Sequence, residues 1–259
     1  MSNAFVQQEA VQKLLREGAG LNVPGGNERF KAIVHRLLEN ICTLIDDYNV
    51  TEEEFWHAVN YLHELGGRQE AALLAAGLGL EHFLDLRQDA IDAAAHRETG
   101  TPRTIEGPLY VANAPLADRH ARMDDGTDAG EVMWLHGQVK DSQGQPIANA
   151  IVDIWHANTL GNYSFFDQSQ SDYNLRRRIR TGADGRYSVR SIMPSGYGCP
   201  PDGPTQKLLD QLGRHGNRPA HIHFFVSAPG HKHLTSQINL SGDKYLWDDF
   251  AFATRDGLI

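Results

Sequence analysis

The stretch that decides the fold is Arg218-Pro-Ala-His-Ile-His-Phe-Phe-Val226, which is apolar and rich in strand-forming residues except for its two histidines. Side chains on a β-strand alternate between two faces. His221 and His223 therefore share one face with Phe225. Two neighbouring imidazoles supply half of a metal site, although a pair of structural histidines at a sheet surface has the same spacing. The opposite face carries Ile222, Phe224 and Val226.

The composition limits the class of protein. The chain has 259 residues, of which 41% are hydrophobic and 22% charged, which is enough for one large or two medium domains. Its formal net charge of −9 argues against binding to nucleic acid or to an anionic membrane. The sequence shows neither a secretory signal nor an apolar run of membrane-spanning length. The two distant cysteines, Cys42 and Cys199, fit a reducing compartment, so we expect a cytoplasmic protein.

The first hundred residues have helical patterns. Apolar residues recur at helical spacing over residues 28–48. Thr51 and Glu54 form a capping box that predicts the start of a second helix. A third helical pattern starts near Arg68 and is interrupted by two glycines. We expect residues 1–100 to form a helical domain, which is either a plain bundle or a dimerisation or lid element.

The pattern changes to β-structure in the second part of the chain. Several short apolar runs separated by turn signals predict an antiparallel β-sandwich over residues 101–259. Asp184-Gly185 predicts a hairpin turn. The fold class is therefore α+β, with a mainly β second domain. The predicted strands are 133–139, 147–155, 186–193, 221–226 and 233–240.

Two tyrosines lie in turns after predicted strands. Tyr163 stands in Gly161-Asn-Tyr-Ser164, and Tyr197 stands in Pro194-Ser-Gly-Tyr-Gly-Cys-Pro-Pro201. A free phenol has a pKa of about 10, and a trivalent cation lowers it far enough for the phenolate to bind at neutral pH. Two phenolates and two neutral imidazoles would suit Fe(III) with a bound hydroxide. Zinc, which commonly takes His, Cys and carboxylate ligands, is the competing interpretation.

Four longer motifs stand out in the sequence: Ile105-Glu-Gly-Pro-Leu-Tyr110, Ile154-Trp-His-Ala-Asn158, Gly196-Tyr-Gly-Cys-Pro-Pro201 and Arg218-Pro-Ala-His-Ile-His223. They resemble the intradiol ring-cleaving dioxygenases, and most closely the catechol 1,2-dioxygenases. The resemblance covers nearly the whole chain, including the helical N-terminal part. It implies an oxidoreductase that cleaves catechol with O2 to cis,cis-muconate, in the β-ketoadipate pathway of aromatic degradation. It also implies a homodimer joined through the N-terminal helices, which can hold a phospholipid.

The resemblance also implies roles for individual residues. One non-haem Fe(3+) per subunit would be held by Tyr163, Tyr197, His221 and His223. Tyr197 would be displaced by the substrate and accept one of its protons. Arg218 would stabilise negative charge on the ring, and Gln237 would lie near the iron. The positions expected to line the ring pocket are Leu73, Ala76, Ile105, Pro108, Leu109, Phe250 and Ala251.

The residue at position 76 bears on the substrate. Ala76 offers no partner for a third ring hydroxyl, which favours catechol over hydroxyquinol, and its small size could widen the pocket towards methyl- or chlorocatechols. A hydroxyquinol or chlorocatechol 1,2-dioxygenase is therefore the alternative within this class. The alternative from a different class is a non-catalytic sandwich that binds a small ligand, or a dimerisation module. The resemblance further implies that relatives continue past the position of Ile259, so we expect a sandwich truncated at its C-terminus.

Overall fold

The computed structural model describes residues 5–97 and 100–259. Its contacts divide the chain into two compact units, residues 1–64 and 65–259. The helices are α1 (Glu9–Gly18), α2 (Glu28–Asp47), α3 (Glu52–Gly67), α4 (Ala71–Gly77), α5 (Leu80–Ala94) and α6 (Pro204–Gln211). The strands are β1 (Leu116–Asp118), β2 (His120–Arg122), β3 (Val132–Gln138), β4 (Ile151–His156), β5 (Arg176–Arg180), β6 (Arg186–Ile192), β7 (Tyr197–Gly198), β8 (Asn217–Arg218), β9 (His221–Ser227) and β10 (Leu234–Asn239).

Two of the predicted N-terminal helices begin as the sequence indicates. Asn27 caps α2, because its side-chain oxygen accepts a hydrogen bond from the backbone N–H of Phe30 at 3.0 Å. The capping box before α3 is confirmed: Thr51 N–H donates to Glu54 Oε2 at 2.8 Å, and Glu54 N–H donates to Thr51 Oγ1 at 3.2 Å. Helix α1 was not predicted. No helix within the described ranges is long and apolar enough to cross a membrane.

The third helical pattern forms two helices, α4 and α5, with a break at Gly79. Gly79 has a φ of 74°, which a residue without a Cβ adopts at little cost. Both helices belong to the same compact unit as the sheets, because that unit begins at Leu65. The domain boundary that the sequence places near residue 100 stays a prediction.

The strands form three sheets, and most of their pairs are antiparallel. The five-stranded sheet has the order β1-β5-β4-β9-β10, the three-stranded sheet β2-β6-β3, and the smallest sheet pairs β7 with β8. Only two of these pairs, β1 with β5 and β2 with β6, are parallel. The predicted fold class, helices followed by a mainly antiparallel β part, is confirmed.

The two faces of β9 have the separate roles that the alternation predicts. Ile222 and Phe224 are buried in a core shared with Val152 of β4 and Val189 of β6, so this face packs against the three-stranded sheet. The other face carries the two histidines, and its Phe225 packs against a separate cluster around Trp155. One strand therefore contributes to the core and to the candidate site at the same time.

The predicted hairpin at Asp184-Gly185 is wrong. A tight turn is present, since Gly182 N–H donates to the carbonyl oxygen of Arg186 at 3.1 Å. The strands on either side of it, β5 and β6, belong to different sheets, so the turn carries the chain from one sheet to the other. Strand β5 was also missed, because its sequence Arg176-Arg-Arg-Ile-Arg180 lacks the apolar alternation of a half-buried strand.

Candidate active site

The histidine pair lies on β9, an interior strand of the five-stranded sheet. Strand β9 runs between β4 and β10, which places His223 opposite Trp155 on one side and Gln237 on the other. His221 is opposite Asn239. The Trp155 indole stacks on the His223 ring with centroids 4.7 Å apart and planes within 1°. The register of three strands thus fixes the orientation of this imidazole.

Hydrogen bonds determine which ring nitrogen of His221 is free. Its Nδ1–H donates to the carbonyl oxygen of Pro219 at 2.6 Å, so Nε2 carries the lone pair. That Nε2 accepts from Arg218 Nη1 at 2.9 Å and lies 3.0 Å from Nε2 of His223. Burial, and then the Arg218 cation, lowers the pKa of His221 to about 3. Burial, and then His221, holds the pKa of His223 well below its usual value. Both imidazoles are neutral at pH 7 and suited to bind a metal.

A glycine brings the two tyrosine turns together. Gly161 has a φ of 81°, and a Cβ on it would lie 2.8 Å from Cβ of Tyr197 and 2.9 Å from the carbonyl oxygen of Gly196. Any other residue would push the turns apart. The side-chain oxygen of Asn158 accepts two backbone N–H groups within the first turn. The rings of Tyr163 and Tyr197 then meet edge to face, with centroids 5.4 Å apart.

The tyrosines converge on the histidines. The ring centroids of Tyr163 and His223 are 6.4 Å apart, and those of Tyr197 and His221 are 5.5 Å apart. The Tyr163 hydroxyl is buried and has no hydrogen-bond partner among the residues that the structure describes. Burial, and then Tyr197, holds the pKa of Tyr163 well above its usual value. A buried hydroxyl without a partner is costly, and a cation held between the rings would satisfy it.

This donor set fits a hard trivalent cation. It offers two phenol oxygens and two imidazole nitrogens. Both histidines lie on β9, Tyr197 lies on the short paired strand β7, and Tyr163 lies in the turn after β4. Phenolate oxygens stabilise a high positive charge, whereas zinc sites are built mainly from Cys, His and carboxylates. Within residues 5–97 and 100–259, no group of three or more His, Cys, Asp or Glu side chains is placed to hold a metal ion.

Arg218 connects the candidate metal ligands to a buried carboxylate. Its Nε and Nη2 each donate to Asp249 at 3.1 Å, and its Nη2 also donates to Gln237 Oε1 at 2.9 Å. Its Nη1 donates to the Tyr197 hydroxyl at 3.4 Å. Burial alone would lower the pKa of Arg218, but the Asp249 carboxylate and the Tyr197 and Tyr163 phenols together outweigh it, so the guanidinium stays charged.

Sequence reasoning missed Asp249 and did not assign a role to Trp155. Asp249 is buried, and the Arg218 guanidinium outweighs burial and keeps the pKa of its carboxyl below the usual range. Its only signal in the sequence is an acidic residue directly before the predicted pocket residues Phe250 and Ala251. Trp155 lies within a motif that was recognised, but its stacking on His223 depends on a strand register that the sequence does not reveal.

A cavity of about 340 Å³ adjoins the two tyrosines, a volume typical of small-molecule sites. Tyr163, Tyr197 and Arg218 line it, together with Glu70 and Cys199, which were not predicted as pocket residues. His221, His223 and Gln237 are not among its lining residues. The structure places all the predicted ring-pocket positions in its wall: Leu73, Ala76, Ile105, Pro108, Leu109, Phe250 and Ala251.

Comparisons with known proteins agree with this geometry. Residues 105–259 match the dioxygenase family model, and residues 27–96 match the model of the catechol dioxygenase N terminus. Catechol 1,2-dioxygenase 2 of Acinetobacter lwoffii is 59% identical over 98% of this chain and 92% of its own length. The crystal structure of catechol 1,2-dioxygenase from Pseudomonas arvilla C-1 superimposes with a TM-score of 0.96 and 65% identity, over 98% of this chain and 82% of that one.

Relatives named for other substrates are more distant. A chlorocatechol 1,2-dioxygenase of Cupriavidus pinatubonensis is 36% identical over 90% of this chain and 88% of its own length. A hydroxyquinol 1,2-dioxygenase of a Rhizobium species is 33% identical over 98% of this chain and 85% of its own length. Together with the convergence of two tyrosines and two histidines, these matches show that the chain belongs to the intradiol ring-cleaving dioxygenases.

Proposed function

We propose that this protein is a catechol 1,2-dioxygenase, an oxidoreductase that incorporates both atoms of O2 and opens the catechol ring to cis,cis-muconate. The observation that carries the proposal is the convergence of Tyr163, Tyr197, His221 and His223 beside a cavity of about 340 Å³. The similarity to relatives named for this reaction supports the choice of substrate.

The family is iron-dependent, and we infer one Fe(III) per subunit. The residues that would hold the ion are Tyr163, Tyr197, His221 and His223. When bound, ferric iron would draw electron density from a catecholate and so make a ring carbon reactive towards O2. The neutral state of both imidazoles and the unpartnered hydroxyl of Tyr163 support this assignment.

The two tyrosines differ in a way that assigns their roles. Tyr163 is 3% exposed, and its hydroxyl has no partner among the described residues, so we infer that its role would be to hold the ion. Tyr197 is half-buried, lines the cavity and already accepts a hydrogen bond from Arg218. Tyr197 is therefore the tyrosine that could exchange contact with the ion for contact with catechol, and its phenolate would accept a proton from one of the catechol hydroxyl groups.

Arg218 would stabilise the negative charge that develops on the ring. Its guanidinium lines the cavity and is held by Asp249 and Gln237, so it is oriented before the substrate arrives. A preoriented cation in a site that excludes water stabilises developing charge more effectively than a mobile one. The apolar wall of the cavity would position the flat ring beside it.

The test is an absorption spectrum of the iron-loaded protein, before and after anaerobic addition of catechol. We expect a visible phenolate-to-Fe(III) band that moves to longer wavelength with catechol and bleaches in air, with formation of muconate. Chelation of the iron should remove both the colour and the activity. Tyr163→Phe should weaken the band, and Thr159→Ser, outside the donor set, is the matched control. A colourless, inactive protein after iron loading would refute the proposal.

A substrate panel separates catechol from the alternative substrates. Ala76 lines the cavity and offers no polar partner to a third ring hydroxyl, so we expect a higher kcat/KM for catechol than for hydroxyquinol. 4-Chlorocatechol should also react more slowly than catechol. Comparable turnover of hydroxyquinol and catechol would contradict the assignment of Ala76.

We also propose the homodimer joined through the N-terminal helices, with a bound phospholipid. Helix α2 supports this proposal, because it carries a series of exposed apolar side chains at helical spacing. Light scattering of the purified protein, and mass spectrometry of an organic extract, test the two parts separately. The exposed residues are Phe30, Ile33, Leu37, Ile41 and Leu44.

A further inference from the structure

The short helix α4 supplies part of the cavity wall, and a charged side chain holds its beginning. Leu73 and Ala76 of this helix line the cavity. Glu70, the N-cap residue of α4, is 6% exposed and accepts a hydrogen bond from the backbone N–H of Thr205 at 3.0 Å. Thr205 lies in the first turn of α6, where a carboxylate interacts favourably with the helix dipole. The start of α4 is therefore attached to the start of α6.

A second charged side chain holds the end of α4. Arg214 follows α6, and its Nη1 donates to the carbonyl oxygen of Gly77, the last residue of α4, at 2.7 Å. Its Nη2 donates to the carbonyl oxygen of Phe250, a residue of another segment of the cavity wall, at 3.0 Å. Its guanidinium carbon also lies 4.8 Å from the ring centroid of Phe252. One side chain thus joins two segments of the cavity wall.

The two segments are in close contact at this point. A Cβ on Gly77 would lie 3.0 Å from the ring of Phe250, so the helix end rests directly on that side chain. Ala76, Phe250 and Ala251 belong to one buried cluster. A small displacement of α4 therefore changes the space between Ala76 and the Phe250–Ala251 wall.

We propose that Arg214 is a specificity-determining positioning residue, and that Glu70 and Arg214 form a clamp that sets the width of the ring pocket. The inference rests on the proposed function, and it names which part of the chain limits substituents on the ring. Arg214 is not among the described residues that line the cavity, so it acts through α4 and Phe250. The clamp is needed because α4 has only 7 residues, and a helix this short has little stability of its own.

The test compares iron-loaded wild type with Arg214→Gln, Arg214→Lys and a control, Arg177→Gln. Arg177, on β5, also donates through its guanidinium to a backbone carbonyl, that of Arg122, at 2.9 Å. Values of kcat and KM are measured for catechol, 4-methylcatechol and 4-chlorocatechol, and Tm is measured for each variant. One methyl group is worth about a 10- to 200-fold discrimination in a rigid pocket, so partial loosening should change selectivity by about 5- to 10-fold.

We define the selectivity ratio as kcat/KM for 4-methylcatechol divided by kcat/KM for catechol. Arg214→Gln should raise this ratio by about 5- to 10-fold, mainly through a lower KM for 4-methylcatechol. Arg214→Lys should restore part of the selectivity, because an ammonium reaches one carbonyl but not both. Arg177→Gln should leave the ratio unchanged. If Arg214→Gln does not fold, Glu70→Gln, which keeps the acceptor and loses the charge, should shift the ratio in the same direction.

An unchanged ratio in Arg214→Gln, with a Tm lowered as much as in Arg177→Gln, would show that Arg214 only stabilises the fold. An equal loss of kcat/KM for all three substrates would also overturn the proposal. Failure of the wild type to cleave catechol would instead refute the proposed function itself, so the two failures are distinguishable.

Discussion

Replacing Asp249 by alanine should reduce both stability and turnover, because this carboxylate is the counter-ion of Arg218. Both side chains are buried, and the carboxylate accepts from Nε and Nη2 of the guanidinium at 3.1 Å each. Its Oδ1 also accepts from the backbone N–H of Ala251 at 3.0 Å. Removing one partner of a buried ion pair costs about 3–5 kcal/mol, because the remaining charge is left uncompensated.

The effect on catalysis follows from the orientation of the guanidinium. Loss of a preoriented group that stabilises developing charge lowers kcat by about 10²- to 10³-fold, and we expect Asp249→Ala to fall in this range. Asp249→Asn keeps an acceptor for Ala251 N–H and loses only the charge, so its stability loss should be smaller, about 1.5–3 kcal/mol. Stability is measured by urea unfolding, and turnover by the absorbance of muconate.

A double-mutant cycle distinguishes the ion pair from a packing defect. Replacing both partners of a buried pair by apolar groups is often neutral, so Arg218→Met combined with Asp249→Ala should be more stable than Asp249→Ala alone. The pair should stabilise the protein above the usual pKa of a carboxyl and be lost as the pH falls through the lowered pKa of Asp249. An Asp249→Ala protein that loses less than about 1 kcal/mol and keeps its kcat would refute the reasoning, since a buried pair broken on one side costs more than this.

Further predictions concern the glycine between the two tyrosine turns, the buried His156 and the buried carboxylate of Asp153. Gly161→Ala should separate the two tyrosine turns at a cost of about 1–3 kcal/mol and weaken the phenolate-to-iron band, because its Cβ would lie 2.8 Å from Tyr197. Burial lowers the pKa of His156 to about 4. Below the usual histidine pKa the unfolded chain therefore binds more protons than the folded protein, and the free energy of unfolding of the metal-free protein should fall by about 2 kcal/mol through this residue between about pH 7 and pH 5. In urea unfolding, His156→Gln should lack this part of the pH dependence. A variant whose stability changes with pH as the wild type's does would contradict the prediction. Tyr110→Phe removes the donor to Asp153 at 2.9 Å and should cost about 1–3 kcal/mol in thermal unfolding, with no change in metal content.

Much of the fold follows from local sequence patterns. The capping box at Thr51 and the alternation in β9 depend only on neighbouring residues, so both were predicted correctly. The break at Gly79 falls at one of the two glycines that interrupt the third helical pattern, so it too is a local signal. The crossing at Asp184-Gly185 depends on pairing with distant strands, and the sequence alone did not reveal it. Short strands rich in arginine, such as β5, follow no periodicity that could be detected.

In the candidate site, too, the residues that were predicted have local sequence signals or a family motif, and the residues that were missed depend on distant contacts. The histidine spacing and the isolated tyrosines pointed to donor side chains, and family resemblance supplied Arg218, Gln237 and the pocket positions. Asp249 and Trp155 acquire their roles only through pairing across strands and loops, which no single segment encodes. The clamp formed by Glu70 and Arg214 is likewise a relation between two helices far apart in sequence.

Because β9 has a core face and a site face, it should tolerate no insertion or deletion of a single residue. Inserting or deleting one codon within the strand would exchange the faces beyond that point, moving an imidazole into the space between the sheets and a phenyl ring towards the cavity. Catalytic capacity and folding would then be lost together. A frame-preserving insertion in the turn between β9 and β10 would leave both faces intact, so viable length variants should be found there and not in the strand.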